Sequence, residues 1–192
     1  MPAIILASSS PYRAALLRKL QLDFEICASH VDETPLPGES AQHLALRLSK
    51  AKANALSVTY PEHLIIGSDQ VAVCGEQFLN KPGNREQAIL QLLTQSGKSA
   101  QFYTGICVLD TASNKMHSAI DSCIVHFKTL TQKQIERYID LEQPFDCAGS
   151  FKSENLGIAL FSSIETSDPN TLVGLPLIKL ISLLSEAGVE VI

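Results

Sequence analysis

The segment His63–Cys74 constrains the fold of this chain more than any other part of its sequence. The segment is apolar over most of its length and carries β-branched residues at Ile65, Ile66, Val71 and Val73. This pattern predicts a strand buried in a sheet, interrupted by the polar stretch Gly67-Ser68-Asp69-Gln70. Burying a carboxylate costs several kcal/mol unless it is paired or bound to a metal ion. Asp69 is therefore the first candidate for a functional residue.

Helical and extended patterns alternate along the rest of the chain. Helices are predicted at 11–20, 40–56, 85–94, 131–141 and 172–187, and extended segments at 3–7, 24–27, 100–109 and 115–127. This order predicts an α/β fold, with a mixed twisted sheet flanked by helices and two lobes around a central cleft. Because no linker or change of composition divides the chain, we expect a single domain over 1–192.

Composition excludes several classes of protein. The chain has 192 residues, of which 45% are hydrophobic, and this favours a folded globular protein over a disordered one. The net charge of −5 argues against general binding to nucleic acids or anionic membranes. No segment has the length of a membrane span or the pattern of a signal peptide, and we expect a cytoplasmic protein. The five dispersed cysteines are typical of small buried side chains. The sequence contains no His-x-x-x-His pair, so it does not predict a zinc site.

The first candidate binding segment is Ser8-Ser9-Ser10-Pro11-Tyr12-Arg13, between a predicted strand and a predicted helix. The free backbone N–H groups of a helix N-terminus favour anions, and serine hydroxyls and Arg13 add further donors. This segment could hold a chain of phosphates, although it lacks the glycines and the Lys-Ser/Thr pair of a Walker loop. The alternative is ordinary helix capping.

Acidic and basic residues suggest how a phosphate substrate could be handled. Asp32 and Glu33 lie in a Pro-rich loop, and with Asp69 they offer the oxygen ligands that Mg²⁺ and Mn²⁺ prefer. Asp69 could instead accept the proton of an attacking water, and the loop could be only a solvated acidic turn. Lys52, Lys81 and Lys152 are each typical of surface lysines, but with Arg13 they could neutralise a triphosphate.

These segments together closely resemble the Maf family of nucleoside-triphosphate pyrophosphatases. The matching stretches run in order through nearly the whole chain, at 5–13, 31–35, 51–53, 65–70, 81–82, 102–105, 147–154 and 168–176. The resemblance implies hydrolysis between the α and β phosphates, a divalent metal cofactor, a cytoplasmic enzyme, a homodimer, and a fold similar to that of inosine-triphosphate pyrophosphatases. It implies that Asp69 is the proton acceptor and that the surrounding phosphate and metal ligands are Ser8, Arg13, Glu33, Lys52 and Lys81. In this interpretation Glu33 and Asp69 hold the metal ion.

Three positions distinguish branches of the family. Members that act on dTTP and UTP typically carry Arg, Thr and Gln at the positions of Tyr12, Gln70 and Glu154. This chain differs at all three and resembles the branch that acts on 7-methyl-GTP, in which these positions hold an aromatic residue, Gln and Glu. Related members often have Trp where this chain has Tyr12.

The chemistry of the methylated base agrees with this branch. N7-methylation makes guanine cationic, and a cation over the ring of Tyr12 gains roughly 0.5–2 kcal/mol. Glu154 could accept from the N1–H and the 2-amino group of guanine, or could form an ion pair with Lys152. Gln70 could contact a base edge or the ribose. Two alternatives remain open from the residues: a dTTP/UTP pyrophosphatase, and a nucleotide-binding regulator of cell division.

Overall fold

Within residues 2–192, which the computed structural model describes, the chain forms a seven-stranded mixed sheet flanked by five α-helices. The strands are β1 (Ala3–Leu6), β2 (Phe24–Ile26), β3 (His63–Cys74), β4 (Gln77–Phe78), β5 (Ser99–Asp110), β6 (Lys115–Phe127) and β7 (Phe161–Thr166). The helices are α1 (Pro11–Arg18), α2 (Ala41–Asn54), α3 (Arg85–Gln95), α4 (Gln132–Glu142) and α5 (Leu177–Glu186). The predicted α/β class with a helix-flanked mixed sheet is therefore confirmed.

The sheet has the order β2-β1-β3-β5-β6-β7, and β4 pairs with β3 outside this path. Strand β1 is parallel to both β2 and β3, whereas β7 is antiparallel to β6. The register of β1 places Leu6 beside Ile66. The residues that follow Leu6 therefore emerge beside the continuation of β3 that carries Asp69.

The chain forms two compact units. The first contains the residues up to Gln70, Tyr103–Asp121 and Asp168–Ile192. Its apolar core lies on both faces of the sheet, because alternate residues of a strand point to opposite sides. Leu64 and Ile66 pack in the cluster that contains residues of α1 and α5, and Ile65 packs in the cluster that contains residues of α2.

The second unit comprises Val71–Phe102 and Ser122–Ser167. Helices α3 and α4 pack against each other in it. Four phenylalanines, Phe102, Phe127, Phe151 and Phe161, form edge-to-face ring contacts with centroids 4.8–5.7 Å apart. Such contacts add to the stabilisation from apolar burial, so these rings are the main aromatic core of this unit.

Two predicted elements differ from the structure. Strand β3 continues through Gly67-Ser68-Asp69-Gln70 without interruption, because most of this polar stretch is buried and stays in the extended conformation. The last helix begins at Leu177, not at 172, and Pro176 precedes it. Gly174 has φ +109, which no helical residue adopts, so 170–176 is a loop.

No helix among the described residues has both the length and the apolar character that a bilayer span requires.

Candidate active site

The turn between β1 and α1 places Ser8, Ser10 and Arg13 close together. Ser10 is the N-cap of α1 and accepts a hydrogen bond from the backbone N–H of Arg13 at 3.4 Å. Pro11 occupies the first helical position, where the missing N–H has no cost. Ser8 Oγ accepts from the backbone N–H of Ser10 at 3.1 Å. Ser10 therefore has the ordinary helix-capping role that was the alternative to phosphate binding. Ser8 is buried and shapes the turn that leads to Arg13.

The guanidinium of Arg13 is anchored at two places. Its Nε donates to the carbonyl of Gly174 at 2.9 Å, and its NH1 group makes a longer contact of 3.5 Å with Ser8 Oγ. Burial lowers the pKa of Arg13, and the charges of Asp69 and Glu33 oppose this shift. An arginine keeps its proton throughout the physiological range, so the site contains a fixed positive charge that acts on both carboxylates.

Asp69 and Glu33 converge on the ammonium group of Lys52. Lys52 Nζ lies 2.5 Å from Asp69 Oδ1 and 2.6 Å from Glu33 Oε1. Lys52 and Asp69 are 8% and 7% exposed, whereas Glu33 is exposed, so a half-open cluster of two carboxylates and one ammonium forms. Of the candidates from the sequence, Asp69, Glu33, Lys52 and Arg13 are thus brought together.

Gly67 explains why Lys52 can reach Asp69. A Cβ atom at position 67 would lie 2.1 Å from the backbone oxygen of Ser49 and 3.0 Å from the backbone nitrogen of Ala53. Only glycine therefore lets β3 pack this closely against α2. Since Asp69 follows two residues later on the same face of β3, the close packing brings its carboxylate beside Lys52 near the end of α2.

The environment of Asp69 shifts its proton affinity. Burial raises the pKa of Asp69, while Lys52 and Arg13 lower it in part and Glu33 adds to the increase. The net direction is upward, so this carboxylate holds a proton more strongly than an ordinary aspartate. A carboxylate with a raised pKa is a better proton acceptor once it is ionised.

The loop that carries Glu33 is braced by Arg47 of α2. Arg47 donates to both carboxylate oxygens of Glu39, at 2.7 and 2.8 Å, and to the carbonyl of Thr34 at 3.1 Å. Asp32 accepts from the backbone N–H of Thr34 at 2.9 Å, and hydrogen bonding by the side chain of Thr34, followed by that of its backbone, lowers the pKa of Asp32. Asp32 therefore belongs to the turn, while its neighbour Glu33 reaches Lys52.

Gln70 is bound to the loop 168–176. Its amide nitrogen donates to the carbonyls of Thr171 at 2.8 Å and Leu172 at 3.2 Å, and to Thr104 Oγ1 at 3.0 Å. Through these bonds Gln70 holds the loop 168–176 against β3, a role that its position in the sequence did not indicate. Its contact with a base or ribose stays a prediction.

The remaining candidates lie elsewhere in the chain. Tyr12 is half-buried in the first turn of α1 and belongs to the first unit. Lys81 and Glu154 are exposed residues of the second unit, and Ser153 Oγ donates to Glu154 at 3.3 Å. Lys152 Nζ donates to the carbonyl of Glu142 at the end of α4. The roles assigned to Tyr12, Lys81 and Glu154 stay predictions.

Comparison with known families identifies the group of proteins to which this site belongs. The profile of the family described as "Maf-like protein" matches residues 3–187. The chain belongs to the Maf family. The resemblance inferred from the ordered sequence motifs is thereby confirmed.

Curated Maf relatives match this chain over nearly their whole length. A "7-methyl-GTP pyrophosphatase" of Colwellia psychrerythraea is 53% identical and covers 100% of this chain and 96% of its own. Proteins with the same name from Vibrio vulnificus (54% identical, 98% of this chain and 97% of its own) and Pseudomonas aeruginosa (52% identical, 100% of both) are similar.

Two solved structures share the fold of this Maf protein. The Ham1 protein of Staphylococcus aureus has a TM-score of 0.53 at 16% identity, covering 97% of this chain and 100% of its own. A HAM1 protein from Coxiella burnetii has the same TM-score at 15% identity, with the same coverage of 97% and 100%. At this level of identity the likeness concerns the fold alone.

The site of this Maf protein also contains buried polar residues that sequence reasoning missed. Ser68, Thr104 and Thr171 are fully buried, and Asp121 is 6% exposed. Thr171 Oγ1 donates to Asp121 Oδ2 at 2.6 Å, and Lys179 Nζ lies 3.0 Å from the other carboxylate oxygen of Asp121. The sequence did show these polar residues within apolar strands and within the matched stretch 168–176. Their hydrogen-bond partners could not be identified from it, because those partners are distant in sequence.

Proposed function

We propose that this Maf protein hydrolyses 7-methyl-GTP between its α and β phosphates, giving 7-methyl-GMP and pyrophosphate. The observation that carries the reaction type is the buried carboxylate of Asp69, set between the cations Lys52 and Arg13. The substrate rests on relatives at 50–54% identity that are named 7-methyl-GTP pyrophosphatase. A nucleotide-binding regulator would not need a water-activating carboxylate in such a setting.

Asp69 is the proposed proton acceptor. A water molecule attacks the α-phosphorus while Asp69 takes one of its protons, and the remaining hydroxyl oxygen becomes bonded to phosphorus. The bond between the α-phosphorus and the bridging oxygen breaks, and pyrophosphate leaves with that oxygen. The raised pKa of Asp69 makes its ionised form a stronger base for this step.

Positive charge offsets the negative charge that develops on the phosphates. Arg13 keeps its charge, and its planar group suits phosphate oxygens. Lys52 Nζ lies within 2.6 Å of both carboxylates, so it can neutralise them and reduce their repulsion of a triphosphate. We propose that Ser8 and Lys81 complete the set of phosphate ligands. This local positive charge is required because the chain as a whole carries a net charge of −5.

A divalent metal ion, Mg²⁺ or Mn²⁺, is the proposed cofactor, and the donor set fits it. Glu33 and Asp69 direct carboxylate oxygens at one cationic group, the ammonium of Lys52. Within residues 2–192, no group of three or more His, Cys, Asp or Glu side chains is arranged to hold a metal ion by itself. Mg²⁺ is commonly held by one or two carboxylates together with substrate phosphates. When bound, the ion would polarise phosphate oxygens and lower the pKa of a bound water.

The base is proposed to be recognised by Tyr12, Gln70 and Glu154. A cationic ring favours the π face of Tyr12 and the negative charge of Glu154. The amide nitrogen of Gln70 is held by Thr171, Leu172 and Thr104, so the carbonyl oxygen is the part of this side chain that we assign to ligand contact. Neutral pyrimidine bases lack the charge that this set selects.

The proposal is tested by measuring pyrophosphate release from 7-methyl-GTP, GTP, UTP and dTTP, with and without Mg²⁺ or Mn²⁺. We expect the highest kcat/KM with 7-methyl-GTP in the presence of metal. The variant Asp69→Asn tests the mechanism. It should lower kcat by roughly 10²–10⁴-fold while the protein stays folded, since an amide cannot accept the proton. A clear preference for UTP would contradict the substrate, and a fully active Asp69→Asn protein would contradict the mechanism.

We also propose that the protein is cytoplasmic and acts on a small-molecule nucleotide. The support is membership of the Maf family, together with a net charge of −5 that does not favour nucleic-acid binding. Fractionation that placed the protein in a membrane or an external compartment would contradict this location. The homodimer implied by family membership is checked by light scattering, and a monomer at micromolar concentration would exclude it.

A further inference from the structure

The carbonyl oxygen of Gly174 joins two parts of the site. It accepts one hydrogen bond from Arg13 Nε and another from Ser68 Oγ, both at 2.9 Å. Ser68 directly precedes Asp69 on β3 and is fully buried. We propose that Ser68, acting through the carbonyl of Gly174, is a positioning residue that fixes Arg13 for the reaction at Asp69. This inference rests on the proposed pyrophosphatase function.

Fixing Nε determines where the rest of the guanidinium is directed. The group is planar and rigid, so a hydrogen bond from Nε limits the orientation of the two terminal nitrogens. The other hydrogen bond from this side chain, to Ser8 Oγ, is long at 3.5 Å and holds it weakly. The position of the Gly174 carbonyl therefore determines the direction of the donors that Arg13 can offer to a phosphate.

The backbone alone holds this carbonyl incompletely. Gly174 has φ +109, a conformation that side-chain-bearing residues rarely adopt, and its N–H donates to the carbonyls of Asn170 and Thr171 at 3.2 and 3.1 Å. Those bonds fix the N–H of Gly174. The N–H of Leu175, which shares a peptide plane with the Gly174 carbonyl, makes a longer hydrogen bond of 3.4 Å to the carbonyl of Asn170. The Gly174 oxygen itself is held by Ser68, whose own backbone is fixed because it lies within β3.

The start of the loop is fixed independently of Ser68. Asp168 accepts from the backbone N–H groups of Asn170 at 2.8 Å and of Ile178 at 2.7 Å, and Thr171 is bound to Asp121. Removing the Ser68 hydroxyl should therefore leave the loop folded and change mainly the position of the Gly174 carbonyl. A positioning role can in this way be separated from a purely structural one.

A double-mutant cycle tests the inference. The variants are Ser68→Ala, Arg13→Lys and the double mutant, and the measured quantities are kcat/KM for 7-methyl-GTP and the free energy of unfolding. Lysine keeps the positive charge but lacks the guanidinium Nε–H that Arg13 donates to the carbonyl of Gly174. We expect Ser68→Ala to lower kcat/KM by roughly five- to tenfold in the wild-type background and by less than about twofold in the Arg13→Lys background.

Ser96→Ala is the matched control. Ser96 lies in the second unit, outside the contact of β3 with α2, and its hydroxyl donates to the backbone carbonyl of Leu130 at 3.3 Å and accepts from the N–H of Leu130 at 2.8 Å. It should lose stability much as Ser68→Ala does but keep kcat/KM within about twofold of wild type. If Ser68→Ala fails to fold, Ser68→Cys, with a weak donor of similar size, takes its place in the cycle and should show a smaller loss with the same dependence on Arg13.

The outcomes separate this inference from the proposed function. Equal losses of kcat/KM in both backgrounds, or no loss in the wild-type background, would overturn the positioning role and leave the pyrophosphatase function intact. A wild-type protein that releases no pyrophosphate from any nucleotide of the panel would overturn both.

Discussion

Burial of the Asp69 carboxylate is energetically unfavourable, yet the proposed role of Asp69 as a proton acceptor depends on that burial. Because its pKa is raised in the folded protein, the folded state binds the proton more tightly than the unfolded chain does. Its contribution to stability is therefore fully present below the ordinary aspartate pKa of about 3.9 and is lost as pH rises through the raised value. Asparagine at this position does not titrate. The stability of Asp69→Asn relative to wild type should rise with pH across this window, measured by urea unfolding at several pH values.

Asp140, an exposed aspartate whose pKa is lowered rather than raised, is the control for this pH dependence. Arg85 lowers the pKa of the exposed Asp140 through hydrogen bonds of 2.7 and 3.1 Å. Asp140 therefore contributes stability above the ordinary aspartate pKa and loses it as pH falls through the lowered value. The stability of Asp140→Asn relative to wild type should fall with rising pH at the acidic end of the series. If Asp69→Asn followed the same trend as Asp140→Asn, the raised pKa of Asp69 would be wrong.

At the scale of elements, the close packing of β3 against α2 is what assembles the carboxylate–lysine cluster. Gly67→Ala would place a Cβ atom 2.1 Å from the backbone oxygen of Ser49, and backbone atoms cannot give way as a flexible side chain can. We expect β3 and α2 to separate, with a loss of stability of about 1–3 kcal/mol and a loss of activity larger than the unfolded fraction accounts for. Denaturant unfolding and kcat/KM on the same samples measure both.

Gly75→Ala separates crowding from backbone strain. Gly75 has φ +60, but a Cβ atom there would meet no heavy atom within 4 Å. Alanine should cost about 1 kcal/mol through its unfavourable conformation and leave kcat/KM unchanged. An active Gly67→Ala protein with only the Gly75→Ala loss of stability would show that the packing of β3 on α2 does not set the geometry of the site.

The same elements show what the sequence could and could not predict. Local patterns predicted β3 and α2 close to their observed bounds, because hydrophobic periodicity is a property of neighbouring residues. The loop 168–176 was instead predicted as the start of a helix. Its conformation depends on hydrogen bonds from Gln70 and Ser68, which are about a hundred residues distant in sequence. Propensity does not contain such contacts, so the residues that hold the loop could not be identified before the fold was known.

At the scale of the whole molecule, the chain divides into two compact units, yet β3, β5 and β6 each run from one unit into the other. Because each strand is continuous across this division, unfolding of one unit would remove support from the strand residues next to it in the other. We therefore expect one cooperative transition in scanning calorimetry, with equal calorimetric and van 't Hoff enthalpies. Gly67→Ala in the first unit and Phe151→Leu in the aromatic core of the second should each lower the Tm of that same transition. Two transitions, each shifted by only one of the variants, would contradict the prediction of a single domain over 1–192.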